Sequence, residues 1–212
     1  MEDVRRALQA ACDAIIAAQD RLTRADQAIG DGDHGAGMAR GFRAARDALD
    51  AATPACVGDL FKAVGMAVLS KSGGASGAVF GTFFIGAAKP LLHTHLTAPA
   101  LVEAFAAGTQ AVRDRGKAQP GDKTMIDAAL PAVEAASAAP ETDLGAVAAA
   151  AAEGARRGAE ATRAMIARFG KAKTLGERSI GHIDPGALSV SIILESIAVS
   201  VATRDEGEVI DI

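Results

Sequence analysis

The chain has 212 residues, half of them apolar, with 22 basic against 26 acidic residues and a formal charge of −4. This length and balance suit a single folded domain over residues 1–212; they exclude a disordered chain, a disulfide-built scaffold and a basic nucleic-acid surface. Alanine supplies about a quarter of the chain and aromatics only 3%, with no Trp or Tyr, so the expected fold is all-helical.

In chain order, the first helical pattern runs through Val4, Leu8, Cys12, Ile15, Ile16 and Leu22, at three- and four-residue steps. The second takes Met38, Phe42, Ala45 and Leu49, and the third Leu60, Phe61, Val64, Val68 and Leu69. Val79, Phe80, Phe83, Phe84 and Ala87 mark a fourth helix just after a Gly/Ser cluster. Thr97 is placed to cap a fifth, with Pro99 in its first turn and Leu101, Val102, Phe105 and Val112 on its apolar side. Asp122 is read as the cap of a sixth through Met125, Ile126, Leu130 and Val133, kinked at Pro131. A long Ala-rich helix is expected from about Asp143 to Phe169, and an eighth from Leu188 to Val201. Short connections make the eight mostly antiparallel neighbours. Cys12 and Cys56 stand far apart with no metal-ligand spacing and read as core residues in a reducing compartment. With no apolar leader and no run of membrane-spanning length, a soluble, cytoplasmic protein is expected, with no membrane and no nucleic acid among its partners.

Glycine and small polar residues gather in four loops, at 30–37, 70–77, 116–124 and 170–186. A helix–helix turn needs one glycine; several in a row let backbone N–H groups approach a ligand. The first loop carries Asp26, Asp31 and Asp33, three carboxylates that repel one another unless a cation sits between them. Hard divalent cations take oxygen ligands of this kind, and an acidic turn capping the next helix is the alternative. Gly-Asp-Gly-Asp-His-Gly fits G-x-G-x-x-G in letters only, since no strand precedes it; an EF-hand counted from Asp31 would need an acid where Phe42 stands. His34 beside the carboxylates reads either as a satisfied polar residue or as a functional one.

Ser76, where the second loop enters a helix, is either an N-cap or part of an anion site. The third loop, Gly116 to Thr124, has one residue too many before Lys123 for a Walker A loop, yet its composition suits contact with a phosphate. The fourth, with Arg178, His182 and Asp184, either closes over a pocket or is a crossover pinned by Asp184-Pro185. No side chain has the setting of a covalent nucleophile. Chemistry built on a metal and backbone amides is that of phosphoryl transfer.

Four motifs together resemble one family, the nucleotide-binding L subunit or L domain of dihydroxyacetone kinases: residues 26–35 (DQAIGDGDHG), 73–84 (GGASGAVFGTFF), 115–125 (RGKAQPGDKTM) and 176–187 (GERSIGHIDPGA). The resemblance runs essentially end to end, with the motifs in the family's order. It implies a closed barrel of eight antiparallel helices with an ADP/ATP pocket formed by loops at one end. By that resemblance Asp26, Asp31 and Asp33 ligate two Mg²⁺ ions and serve catalysis. His34, Gly35 and Gly37, with Ala75 and Ser76, contact phosphate. Gly116, Thr124, Met125, Lys171, Arg178, Asp184, Pro185 and Gly186 complete the nucleotide site. Gly37 stands where relatives often carry Asn, and Lys171 where Arg is frequent, which keeps the charge and loses the planar fork. With no Trp or Tyr, the base has to lie against Met125 or one of the seven Phe residues.

The family places the sugar on a separate K subunit, so the resemblance implies half an enzyme that delivers a γ-phosphate to dihydroxyacetone or a similar short ketose. In one branch ADP stays bound and is recharged by a phosphohistidine phosphocarrier of the sugar phosphotransferase system; in the other ATP exchanges freely. A different acceptor on another partner (a tetrulose or a fatty acid) and a nucleotide-sensing regulatory module are the alternatives.

Overall fold

Helix is what an alanine-rich chain forms most readily, and the computed structural model, which describes residues 1–205, contains nine α-helices and no strand among the described residues. They are α1 (Glu2–Ala17), α2 (Gln19–Ile29), α3 (His34–Ala51), α4 (Val57–Lys71), α5 (Gly74–Ala88), α6 (Ala98–Gly116), α7 (Ile126–Ala138), α8 (Leu144–Ala161) and α9 (Pro185–Asp205). Eight of them close a ring, α1 against α3, then each helix in turn against the next, with α9 packed back on α1. The ring is the expected barrel of antiparallel helices. The ninth, α2, lies outside it against α3 and α9.

The additional helix arises because the first expected one breaks at Ala18 (φ −81°, ψ 4°) into α1 and α2. The apolar spacing runs through the break without a change of phase: Leu8, Cys12 and Ile15 are buried before it, and Leu22, Asp26 and Ile29 after it. No Gly or Pro marks the bend, so periodicity alone reads one helix.

Phe42, Phe80 and Phe84 are fully buried in the barrel, and Phe84 meets Phe42 and Phe83 edge-on at 6.0 and 5.6 Å. The other half of the ring is built by small residues. Gly154 and Gly158 of α8 lie so close to α7 that a Cβ would fall 2.3 Å from the carbonyl oxygen of Pro131 and 2.2 Å from that of Asp127. Pro131 does not end α7, which runs on through it. Its missing N–H leaves the Asp127 carbonyl, four residues back, without the usual helical donor, on the side that Gly158 approaches.

Three expected boundaries move. Asp122 does not cap the sixth ring helix: its carboxylate accepts from Gln119 N at 2.7 Å, and α7 starts only at Ile126. The Ala-rich helix stops at Ala161 instead of near Phe169, because the Thr162 carbonyl is taken by Met165 N (3.1 Å) and by the Lys123 ammonium (2.6 Å). The fourth loop contains 3₁₀ turns over Lys171–Ser179, interrupted at Gly176, and α9 opens at Pro185. Thr97 caps its helix as expected, accepting from Ala100 N at 3.4 Å, and Asp143 caps α8, accepting from Ala146 N at 2.8 Å.

Among the described residues one segment is apolar and long enough to cross a membrane by length and composition, Pro185–Thr203 in α9, with mean hydropathy 1.7. It is that apolar because α1, α2, α7 and α8 all pack on α9.

Candidate functional site

The four glycine-rich loops meet at one end of the barrel, around a cavity of about 390 Å³. A larger cavity, about 660 Å³, opens at the other end between α1, α6, α8 and α9; none of the four loops reaches it.

The first loop makes the acidic wall. Asp26, in the last turn of α2, is 8% exposed and accepts from His34 N at 3.1 Å. The chain folds over that carboxylate only because residue 30 is glycine: a Cβ there would sit 2.2 Å from Asp26 Oδ1. Asp31 and Asp33 follow in the turn, and one oxygen from each of the three carboxylates lies within 4.8 Å of the others. Three negative charges so close require a positive one. Lys171 reaches over from the fourth loop, pairs with Asp31 and stands 3.7 Å from Asp33.

The second loop supplies amides. Gly73 and Gly74 take φ of +74° and +61°, a left-handed pair that turns α4 sharply into α5. No side chain caps α5, so its first N–H groups, at Gly74, Ala75 and Ser76, lack helical partners where they line the cavity. Ser76 Oγ lies 2.8 Å from His34 Nδ1, and His34 Nε2 lies 2.8 Å from Ser189 Oγ. Ser189 donates to the Pro185 carbonyl at 3.0 Å, which leaves its lone pairs to the imidazole. Burial pushes the His34 pKa down to about 4, so the ring is neutral. The network therefore assigns the proton to Nε2 and has Ser76 Oγ–H donate to Nδ1, with the Ser76 lone pairs left for the cavity.

The third and fourth loops form the opposite wall. Asp127 is buried and accepts from Gly121 N (2.5 Å) and Thr124 N (2.8 Å), fixing the turn that presents Thr124, Met125 and Ile126 to the cavity. Lys123, read from sequence as part of a phosphate-contacting loop, has its ammonium committed to the carbonyls of Thr162 (2.6 Å) and His182 (2.5 Å), and burial lowers its pKa. It ties three segments together. Asp184 accepts from Ala187 N at 2.7 Å at the start of α9, and burial pushes its carboxyl up to about 7.

Of the candidate residues, Asp26, Asp31, Asp33, His34, Ala75, Ser76, Gly116, Thr124, Met125, Lys171, Asp184, Pro185 and Gly186 all line this cavity. Gly35, Gly37 and Arg178 are not among its lining residues. Gly35 faces α2, where a Cβ would meet Gln19 O at 2.2 Å; Gly37 faces Ser72 O; Arg178 is exposed. The apolar part of the lining includes Val79, Phe80, Val112 and Phe169, none of them named individually as a site residue from the sequence. Phe80 was findable, being one helical turn beyond Ser76. Ser189 was not, because its partner His34 lies 155 residues away.

A family model, the DAK2 domain, matches residues 28–199. The chain belongs to the DAK2 family. The Escherichia coli (strain K12) ADP-binding subunit DhaL of PEP-dependent dihydroxyacetone kinase is 45% identical over 182 residues, covering 84% of this chain and 87% of that subunit. The Lactococcus lactis ADP-binding subunit DhaL of a PTS-dependent dihydroxyacetone kinase is 39% identical over 184 residues, covering 85% and 88%. The crystal structure of the C. freundii dihydroxyacetone kinase in complex with AMP-PNP and Mg²⁺ superposes with a TM-score of 0.69 at 26% identity over 93% of this chain. The DAK2 chain spans about a third of that crystallised kinase. The DAK2 match takes in two of the three carboxylates, Asp31 and Asp33, and all four cavity loops; Asp26 lies two residues before it.

Proposed function

We propose that this chain is the nucleotide-holding half of a dihydroxyacetone-type kinase, which binds ADP or ATP with Mg²⁺ and passes a phosphoryl group to a short ketose held on a separate K-type subunit. The observation that carries the reading is one cavity joining three clustered carboxylates, the uncapped start of α5 and an apolar wall. The donor set is oxygen only, and a lysine ammonium already stands among the carboxylates, so the site suits a hard cation. Asp26, Asp31 and Asp33 would hold Mg²⁺, two ions by the family resemblance. When bound, the metal neutralises phosphate charge, the main requirement of phosphoryl transfer.

The rest is done by the chain itself. The N–H groups of Ala75 and Ser76 face a phosphate with the positive end of α5 behind them. His34, neutral and held by Ser189, keeps the Ser76 hydroxyl proton directed away from the cavity. Met125, Phe80 and Phe169 offer the base an apolar surface, and Asp184-Pro185-Gly186 closes the wall beside Met125. Identity to PEP- and PTS-dependent subunits supports an ADP recharged by a phosphohistidine carrier, and retention of ADP through gel filtration separates that donor from exchangeable ATP.

ADP with Mg²⁺ at about a hundred times its Kd adds about 2.7 kcal/mol of stability, a rise of about 5–10 °C in melting temperature for a chain of this size. Asp31→Asn and Asp33→Asn abolish that rise and leave helical content unchanged. Product forms only when a K-type partner and dihydroxyacetone are added. No thermal shift with ADP or ATP at millimolar Mg²⁺ overturns the nucleotide reading, and turnover by the chain alone overturns the division of labour.

A further inference from the structure

We infer that Lys171 is a resident counter-ion of the carboxylate site, which a divalent cation has to displace and which the nucleotide phosphates then receive. The inference rests on the function proposed above and concerns how that site is loaded. Its ground is the placement of one ammonium. Lys171 Nζ pairs with Asp31 Oδ2 and lies 3.7 Å from Asp33 Oδ2, two of the three groups whose oxygens converge. It therefore holds the position that a cation bridging those carboxylates needs.

Charge bookkeeping gives the order of events. Three carboxylates carry −3, and Lys171 reduces the cluster to −2. One Mg²⁺ in place of the ammonium leaves −1, a weaker pull on the lysine than the −3 of the empty cluster, and two leave +1, which repels it. The phosphate groups beside it do. Lys171 lines the same cavity as the first turn of α5, and its side chain is 64% exposed, so it can change partners without unpacking the barrel. Without nucleotide, metal entry breaks an ion pair and returns nothing to the lysine. With nucleotide, the lysine regains an anionic partner. Metal and nucleotide should therefore bind with positive coupling, part of it carried by Lys171, and the coupling is reciprocal. Lys173 is the internal control: it is exposed in the same turn and makes no ion pair with the cluster.

The test is Mn²⁺ binding followed by electron paramagnetic resonance on the full chain, native, Lys171→Met, Lys171→Arg and Lys173→Met, with and without ADP. Without ADP, Lys171→Met binds Mn²⁺ about three- to tenfold more tightly than the native chain, the gain expected from removing one or two exposed ion pairs. Lys171→Arg and Lys173→Met stay within about twofold of native. The factor by which ADP tightens Mn²⁺ binding is smaller in Lys171→Met than in the native chain. Equal or weaker Mn²⁺ binding by Lys171→Met overturns the inference, as does an equal gain in Lys173→Met, which would show a diffuse charge effect. Absence of Mn²⁺ binding in every chain at millimolar concentration overturns the function reading itself, a separate outcome.

Discussion

Asp127 is the residue on which the third loop depends, and replacing it gives a measurable cost. Its carboxylate is buried and receives two main-chain donors, Gly121 N at 2.5 Å and Thr124 N at 2.8 Å. A hydrogen bond to a charged group contributes about 1.5–3 kcal/mol, and a donor left unpaired in a buried place costs about 1–3 kcal/mol. Both donors are partly exposed to solvent, so the lower end applies to each. Removal also relieves the repulsion Asp127 exerts on the Asp184 carboxylate, which offsets a little of the loss. Asp127→Ala should therefore cost about 2–4 kcal/mol, a fall of about 5–12 °C in melting temperature. Asp127→Asn keeps one acceptor oxygen and should lose about half as much. Scanning calorimetry measures the fall, and hydrogen exchange locates it: the amides of Gly121 and Thr124 lose protection while those in the middle of α3 and α4 keep it. The loop presents Thr124 and Met125 to the cavity, so ADP affinity should fall in the same order, Ala more than Asn. If Asp127→Ala melts within about 1 °C of the native chain, the two bonds do not hold the loop.

Gly158→Ala places a methyl 2.2 Å from the Asp127 carbonyl oxygen and 2.9 Å from Ala128 Cα, so α7 and α8 must separate. Overpacking of this kind costs about 1–3 kcal/mol, set against about 1 kcal/mol of helix propensity gained, and urea denaturation should show a net loss. Gly116→Ala, where a Cβ meets nothing within 4 Å, should change stability by no more than about 0.5 kcal/mol in the same assay. The pH dependence sets buried His34 against half-buried Asp184. His34, lowered from 6.5 to about 4, contributes stability that is present above its unfolded pKa and lost as pH falls from about 6.5 towards 4. Asp184, raised from 3.8 to about 7, contributes stability that is present below its unfolded pKa and lost as pH rises from about 4 to 7. In metal- and nucleotide-free protein the two slopes oppose. Asp184→Asn removes one of them, so between pH 6.5 and 4.5 that variant should lose about 2–3 kcal/mol more than the native chain, at 1.36 kcal/mol per pKa unit. An equal loss in both proteins would refute the assignment.

The helical class and nearly all the ring helices were legible from composition and three- to four-residue spacing, because Ala propensity and one apolar stripe per helix point the same way. The acidic loop was legible because like charges cluster only for a reason, and the other three loops because glycine accumulates where backbone must stay open. What spacing missed is local in each case. The break at Ala18 leaves the apolar phase unchanged, and α8 ends where a lysine 39 residues away takes the Thr162 carbonyl. The start of α7 moved for a similar reason: Asp122 and Asp127 both offer capping oxygens, and three residues with left-handed φ, Lys117, Gly121 and Lys123, shape the loop.

The sequence by itself determined which residue types meet at the site: carboxylates, amides freed by glycine, and an apolar wall without Trp or Tyr. Only the tertiary structure decided their roles. Lys123, in a loop suited to phosphate, binds main-chain carbonyls instead, while Lys171, 140 residues from Asp31, stands among the carboxylates. A side chain's charge is written in the sequence. Its partner is set by which helices the ring brings side by side, a matter of long-range packing that no local pattern encodes.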